Sequence, residues 1–238
     1  MDVARDGTVF VTAGVEPEAR ILKVDPSGNV STVAGTGQAG FSGDGGPATE
    51  ARIGRAFEVA LDGEGNLYFT DVPNYRVRKV DTSGVITTVA GTGKPGFSGD
   101  GGPARAARLG ELAGVTVDRE GNIYVLTLDP GGIRRIDLEG TITSVRWGGT
   151  ERIHIPAEHI WIDPDGNLYL AGNGRIHKRD REGRITILAG DGNSGFYGDG
   201  GPATKAAFSE ETGGVILAPD GALFIGDVEN ARVRKVCL

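Results

Sequence analysis

The sequence predicts an all-β fold, a β-propeller of four-stranded antiparallel blades, and three observations carry that prediction. One nine-residue stretch appears three times: Gly40 to Ala48 and Gly96 to Ala104 both read GFSGDGGPA, and Gly195 to Ala203 reads GFYGDGGPA. The aromatic residues Phe10, Tyr68, Tyr124, Tyr169 and Phe224 mark five units spaced 58, 56, 45 and 55 residues apart, a period that belongs to propellers, solenoids or arrays. Within each unit, four β-rich runs recur in fixed order between turn residues. Four antiparallel strands repeated radially describe a propeller blade. A blade alone exposes two apolar faces, so its stability has to come from packing against its neighbours.

The elements follow in order. The first strand is a short run such as Val59-Ala60-Leu61, Val115-Thr116-Val117 or Ile160-Trp161-Ile162. A tight turn ending in Gly65-Asn66, Gly121-Asn122, Gly166-Asn167 or Gly221-Ala222 leads to the second strand, Leu67-Tyr68-Phe69 and its equivalents. The third strand is Val77 to Val80, matched by Ile21 to Val24, Ile133 to Ile136, Ile176 to Arg179 and Val233 to Val236. A turn such as Asp81-Thr82-Ser83-Gly84 introduces the fourth, Ile86 to Val89.

The glycine-rich stretch then crosses to the next unit. Each Gly inside a helix or strand costs roughly 0.5–1 kcal/mol, so this stretch is a loop. Its Asp can cap neighbouring amides. Pro47, Pro103 and Pro202 stand where a short helix would begin, and Phe41, Phe97 and Phe196 are expected to be plugs pressed into the body below. The units run over residues 1–53, 54–109, 110–154, 155–209 and 210–238 of a single domain. Met1 aligns with Val59 and Cys237 with Asp81, so the fifth unit is expected to lack its fourth strand.

The order Gly-Asn-Leu-Tyr, Asp, Asn-x-Arg-Val-Arg-Lys-Val, Gly-x-Ile-Thr-Thr-Val-Ala-Gly, Gly-Phe-Ser-Gly-Asp-Gly-Gly-Pro-Ala, best seen in the second unit, resembles the bacterial branch of the NHL-repeat propellers. The resemblance covers essentially the whole chain. It implies a protein- or ligand-binding scaffold, an extracytoplasmic setting and most often six blades. The five units are therefore read either as a compact five-bladed ring or, preferably, as part of a six-bladed one.

Composition narrows the function classes. The net charge is -7, with 32 acidic against 25 basic residues, which argues against the phosphate-binding surface that dominates nucleic-acid affinity. The single cysteine, Cys237, permits neither a disulfide framework nor a cysteine metal site. No run of 18 or more apolar residues suggests a membrane-spanning helix, and Met1 to Gly7 lacks the apolar core of a signal peptide.

Two repeated motifs receive structural readings. The GFSGDGGPA loop has no Gly-Lys-Ser/Thr for a phosphate cradle and one Asp per copy, Asp44, Asp100 or Asp199, too few for an EF-hand-like calcium site. It reads as a clamp between blades. Asp71, Asn74 and Arg76 recur as Asp227, Asn230 and Arg232, and the Arg is expected to pair with the carboxylate.

Function is sought where repetition breaks. The connection from Trp147 to His159 is eleven residues shorter than its counterpart from Gly91 to Gly114 and has lost the clamp. Arg146, Trp147, Arg152, His154, Glu158, His159 and Trp161 stand there instead. Both tryptophans and two of the three histidines suggest a notch able to anchor a protein or small ligand at the loop-bearing face; the alternative is that the tryptophans fill volume. Glu58 joins the candidate set through the inner ring Glu58, Gly114, His159 and Gly214, the positions that carry metal ligands in lactonase-like propellers. Two of the four are glycines, and His177 aligns with Arg78, away from His154 and His159. The chain is expected to be non-catalytic, with no cofactor and no metal; the alternative is a metal-dependent lactonase or hydrolase, or a lyase-like propeller.

Overall fold

A computed structural model describes residues 1–14, 18–129, 131–147, 157–218 and 221–237. The chain divides into two units, Met1–Ser144 and Val145–Leu238. The first contains three blades. Blade 1 is β1 (Asp2–Val3), β2 (Val9–Ala13), β3 (Arg20–Val24) and β4 (Val30–Ala34); blade 2 is β5 (Ala56–Leu61), β6 (Leu67–Asp71), β7 (Arg76–Val80) and β8 (Ile86–Ala90). Blade 3 comprises β9 (Gly102–Pro103), β10 (Leu112–Val117), β11 (Ile123–Leu128), β12 (Gly131–Ile136) and β13 (Thr141–Val145). The second unit holds blade 4, with β14 (His159–Ile162), β15 (Leu168–Gly172), β16 (Arg175–Arg179) and β17 (Ile185–Ala189). Its blade 5 has β18 (Thr212–Leu217), β19 (Ala222–Asp227) and β20 (Arg232–Cys237). Every sheet is an antiparallel meander in chain order, and only β9 joins out of sequence, on the outer edge of β13. The fold is thus all-β and of the propeller type, with three strands in blade 5, as the repeat predicts. Among the described residues no helix is long and apolar enough to cross a membrane.

The first turn of a blade folds locally. Asn66 donates to Asp62 through both its backbone amide and its side chain (2.9 and 2.7 Å), and the Tyr68 hydroxyl donates to the same carboxylate at 3.1 Å. Asp118, Asn122 and Tyr124, then Asp163, Asn167 and Tyr169, repeat the arrangement. Burial, and next the neighbouring carboxylate, push the phenols of Tyr68 and Tyr169 above their ordinary range.

Period-two alternation sends one face of each strand into an inter-blade core. Between blades 1 and 2 the core contains Ile21, Ala34, Ala48, Ala51, Ile53 and Phe69; between blades 2 and 3, Val77, Ala90, Ala104, Ala107, Leu109 and Val125. Blades 4 and 5 repeat the pattern with Ile176, Ala189, Ala206, Phe208 and Ile225. The small residues after each proline form a 3-10 turn, Ala48–Glu50, Ala104–Ala106 or Ala203–Lys205, whose alanines cover the third and fourth strands of the preceding blade. Gly43 shows why the clamp needs glycine: its φ is +89°, and a Cβ there would lie 2.7 Å from that of Ala51.

Candidate functional site

The clamps are latches, and their partner is an arginine in the blade that follows. Arg78, at the centre of β7 and fully buried, reaches Asp44 at 2.8 Å and Asp71 at 3.3 Å, and also donates to the Ser42 carbonyl. Arg234 in β20 reaches Asp199 and Asp227 in the same way. Arg134 in β12, also fully buried, pairs with Asp100, but Thr127 stands where the other two blades have their inner aspartate. Burial is the larger influence on Arg134 and depresses its pKa, while Asp100 pulls the other way. Burying an arginine is tolerable only when its charge is met, and the clamp Asp meets it.

Two expectations are corrected here. Arg76 and Arg232 do not pair with Asp71 and Asp227. Arg76 donates instead to the carbonyls of Asn74 and Thr92, and Arg232 to that of Asn230, whereas the deeper Arg78 and Arg234 take the carboxylates. Asp71 is fully buried, so the guanidinium that neutralises it has to enter the interior with it. The clamp phenylalanines are lids rather than plugs. Phe41 and Phe196 are exposed and lie over the guanidiniums of Arg76 (3.8 Å) and Arg232 (4.1 Å), while Phe97 covers Arg134 at 4.6 Å.

The first two clamps also cover the outer edge of the next blade. The Gly45 amide donates to the Ile86 carbonyl (2.8 Å), Ile86 donates back to the Gly46 carbonyl, and Ala48 donates to Gly84. Gly101 and Ala104 repeat the first and third of these bonds with Ile142 and Gly140, both at 2.8 Å. Asp44 accepts a further bond from the Thr88 hydroxyl, and Asp100 one from the Ser144 amide.

Of the residues singled out in the sequence, Glu58 lies in the first unit, at a β-bulge in β5 where the Thr70 hydroxyl oxygen accepts from the amides of both Phe57 and Glu58. Its half-buried carboxylate accepts from the Val115 amide of blade 3 at 2.9 Å, so it ties two blades together. The remaining candidates are in the second unit. Trp147 is buried, at 6% exposure. Trp161 stands 5.2 Å from Tyr169 and packs on the core between blades 4 and 5. His159, opposite Ala171 in β14, shares the Trp161 face of the strand by the two-residue period, and Glu158 precedes it, its amide bonded to the Ala171 carbonyl. Both are half-buried. Arg152 and His154 lie outside the described residues. His177 takes the place of Arg78 in β16; it is buried, and its Nδ1 has no hydrogen-bond partner among the described residues. No group of three His, Cys, Asp or Glu side chains among the described residues is placed to hold a metal ion.

The sequence reading missed the Arg78, Arg134 and Arg234 latches. A signal was present: blades 2, 3 and 5, which follow a clamp, carry arginine at that position, whereas blade 4, which follows the shortened connection, carries His177.

The repeat and sheet order define a β-propeller with latches at blades 2, 3 and 5, and the comparisons with known proteins bear on the fold. The sequence model of the teneurin NHL domain matches residues 20–96. The chain is 29% identical to mouse Teneurin-1 over 254 residues, covering 89% of this chain and 9% of that protein. It therefore spans about a tenth of that relative's length. Among solved structures, an auxiliary nutrient binding protein from Bacteroides ovatus superposes with a TM-score of 0.63 at 16% identity, covering 93% of this chain and 50% of that one. A streptogramin B lyase superposes with a TM-score of 0.59 at 14% identity, covering 99% and 67%. At these identities the structural likeness is one of fold alone, and the sequence matches support the NHL β-propeller class.

Proposed function

We propose that the chain is a non-catalytic NHL-type scaffold that binds a protein or small ligand through its clamp-bearing face. The observation that carries this reading is the use made of its charged groups. The recurrent carboxylates Asp44, Asp71, Asp100, Asp199 and Asp227, and Glu58 on the inner strand, are committed to buried arginines or to backbone amides. A carboxylate so committed holds blades together rather than metal or substrate. The similarity to a short stretch of a much longer animal protein supports a module within a larger architecture. Of the candidate contact residues, Glu158, His159 and Trp161 retain partly exposed surface, whereas Trp147 is buried. A bacterial source and an extracytoplasmic setting belong to the same proposal, on the resemblance of the repeat.

The competing reading is a metal-dependent hydrolase or lyase, favoured by the likeness in fold to the lyase. Thermal melts of the purified chain with zinc or calcium separate the two. A metal held by the native state would add about 2.7 kcal/mol at a hundredfold excess over Kd. The scaffold reading expects no metal-dependent rise in Tm. A clear rise that Glu58→Ala or His159→Ala abolishes would overturn it in favour of the enzyme.

A further inference from the structure

Blades 2 and 5 hold an inner carboxylate between two donors; blade 3 has lost the carboxylate and kept the donors. In blade 2 the buried Asp71 accepts from the Gly54 amide at 2.8 Å through Oδ1 and from Arg78 Nη1 at 3.3 Å through Oδ2. In blade 5 Asp227 accepts from the Ser209 amide at 2.8 Å and from Arg234 Nη1 at 3.2 Å. Strand register makes Thr127 the counterpart in blade 3, opposite Leu112 as Asp71 is opposite Ala56. Threonine ends at its γ atoms, one bond short of the two carboxylate oxygens, and the Thr127 hydroxyl donates to the Gly132 carbonyl of β12. Gly110, the buried counterpart of Gly54, has an amide that donates to nothing among the described residues. Arg134 is at 0% exposure, and its Nη1, the atom that binds the inner carboxylate in the other two blades, has no partner among them either; its Nη2 is taken up by Asp100 and the Ser98 carbonyl. Nε is unpartnered in Arg78 as well as in Arg134, so it does not distinguish the blades. A buried donor without an acceptor calls for a bound water or ion, and a charged donor favours the ion.

We propose that blade 3 binds one chloride ion, held by Arg134 Nη1 and the Gly110 amide at the place that the Asp71 carboxylate takes in blade 2. The charge of the site selects a monovalent anion. Arg78 meets Asp44 and Asp71, and Arg234 meets Asp199 and Asp227, whereas Arg134 meets Asp100 alone. One negative charge restores the balance of the other two blades, and a dianion would bury a further charge beyond what they carry. Phe97 lies over the Arg134 guanidinium and is half-buried where Phe41 and Phe196 are exposed, so the occupant is a small ion enclosed beneath the clamp rather than the end of a long ligand. Chloride thereby becomes a ligand that sets the stability of this blade.

The test follows the Tm of the full chain as sodium chloride replaces sodium gluconate at constant ionic strength. A saturable rise of about 3 °C or more is expected, and sodium bromide should reproduce it. Thr127→Asp supplies the carboxylate from within the chain: it should raise the Tm in chloride-free buffer and abolish the response to chloride. Crystals grown in bromide should show an anomalous peak within hydrogen-bonding reach of Arg134 Nη1 and the Gly110 amide, a readout that holds even where Thr127→Asp fails to fold. A Tm indifferent to chloride, a chloride response that Thr127→Asp retains, or crystals with water only at this position and bromide confined to the surface would each overturn the proposal.

Discussion

Blades 2 and 4 have the same strand order and register, yet they solve one problem in opposite ways. Blade 2 follows a clamp and keeps a fully buried arginine, Arg78, between Asp44 and Asp71. Blade 4 follows a connection with no clamp motif, and its equivalent residue is His177. The outer edge differs in step. Thr88, opposite Arg78, is 8% exposed and bonded to Asp44, whereas Ile187, opposite His177, is 40% exposed. One loop therefore does two things: it supplies the charge that lets a guanidinium be buried, and it covers the fourth strand. Where it is missing, the buried position carries a group that can be neutral, because an unmatched cation in the interior would cost several kcal/mol.

The largest effect expected from this comparison is in blade 3. Asp100 is the only carboxylate paired with Arg134 among the described residues, since Thr127 replaces the inner aspartate. Asp100→Ala strands a buried cation and should destabilise the chain by about 3–5 kcal/mol. Denaturant unfolding measures it through the midpoint at constant slope. A loss below about 1 kcal/mol would mean that Arg134 escapes to solvent and that the latch is incidental. In blade 2 the same change is buffered, because Asp71 remains. Asp44→Ala should cost less, about 1.5–3 kcal/mol, the range of hydrogen bonds to charged groups. If Asp44→Ala proved as costly as Asp100→Ala, the inner aspartate would be doing little.

Strands, turns and clamp positions were legible in the sequence because each has a local cause. Alternating apolar residues place a strand face, Gly65-Asn66 and its equivalents fix a turn, and a proline after two glycines begins a short helical turn. The partner of Asp71 was not legible. Arg76 is close in sequence and pairs across the strand with Asp71 in register, so proximity favours it. Burial decided otherwise: the deeper Arg78 takes Asp71 and is also held by the clamp residue Asp44, 34 positions upstream of it. The notch was half legible. Loss of the clamp did mark blade 4 as different, but the inward packing of Trp161 on Tyr169 depends on tertiary contacts that no spacing announces. Glu58 illustrates the same limit, because its tie to the Val115 amide follows from a bulge that brings neighbouring first strands together.

The smallest effect expected concerns pH and sharpens the comparison at its weakest blade. Burial first, and then the nearby Arg175, hold the imidazole of His177 below its ordinary pKa, about 6.5 for an exposed histidine. The folded state therefore favours the neutral ring. The stability this contributes is present above the ordinary pKa and is lost as pH falls through the lower folded value, with a slope of at most about 1.4 kcal/mol per pH unit. Replacing the ring by leucine, the residue blade 1 carries at Leu22, removes the proton and keeps an apolar side chain. His177→Leu should flatten the fall in Tm between pH 7 and pH 5, so that the two melting curves converge or cross on acidification. His154 and His159 remain in both proteins, and the difference isolates His177. His177→Arg restores the residue of blade 2 without its clamp aspartate, and should lower stability at every pH in that range. Parallel pH profiles for the native chain and His177→Leu, or a harmless His177→Arg, would show that blade 4 meets a charge at this position as well as blade 2 does.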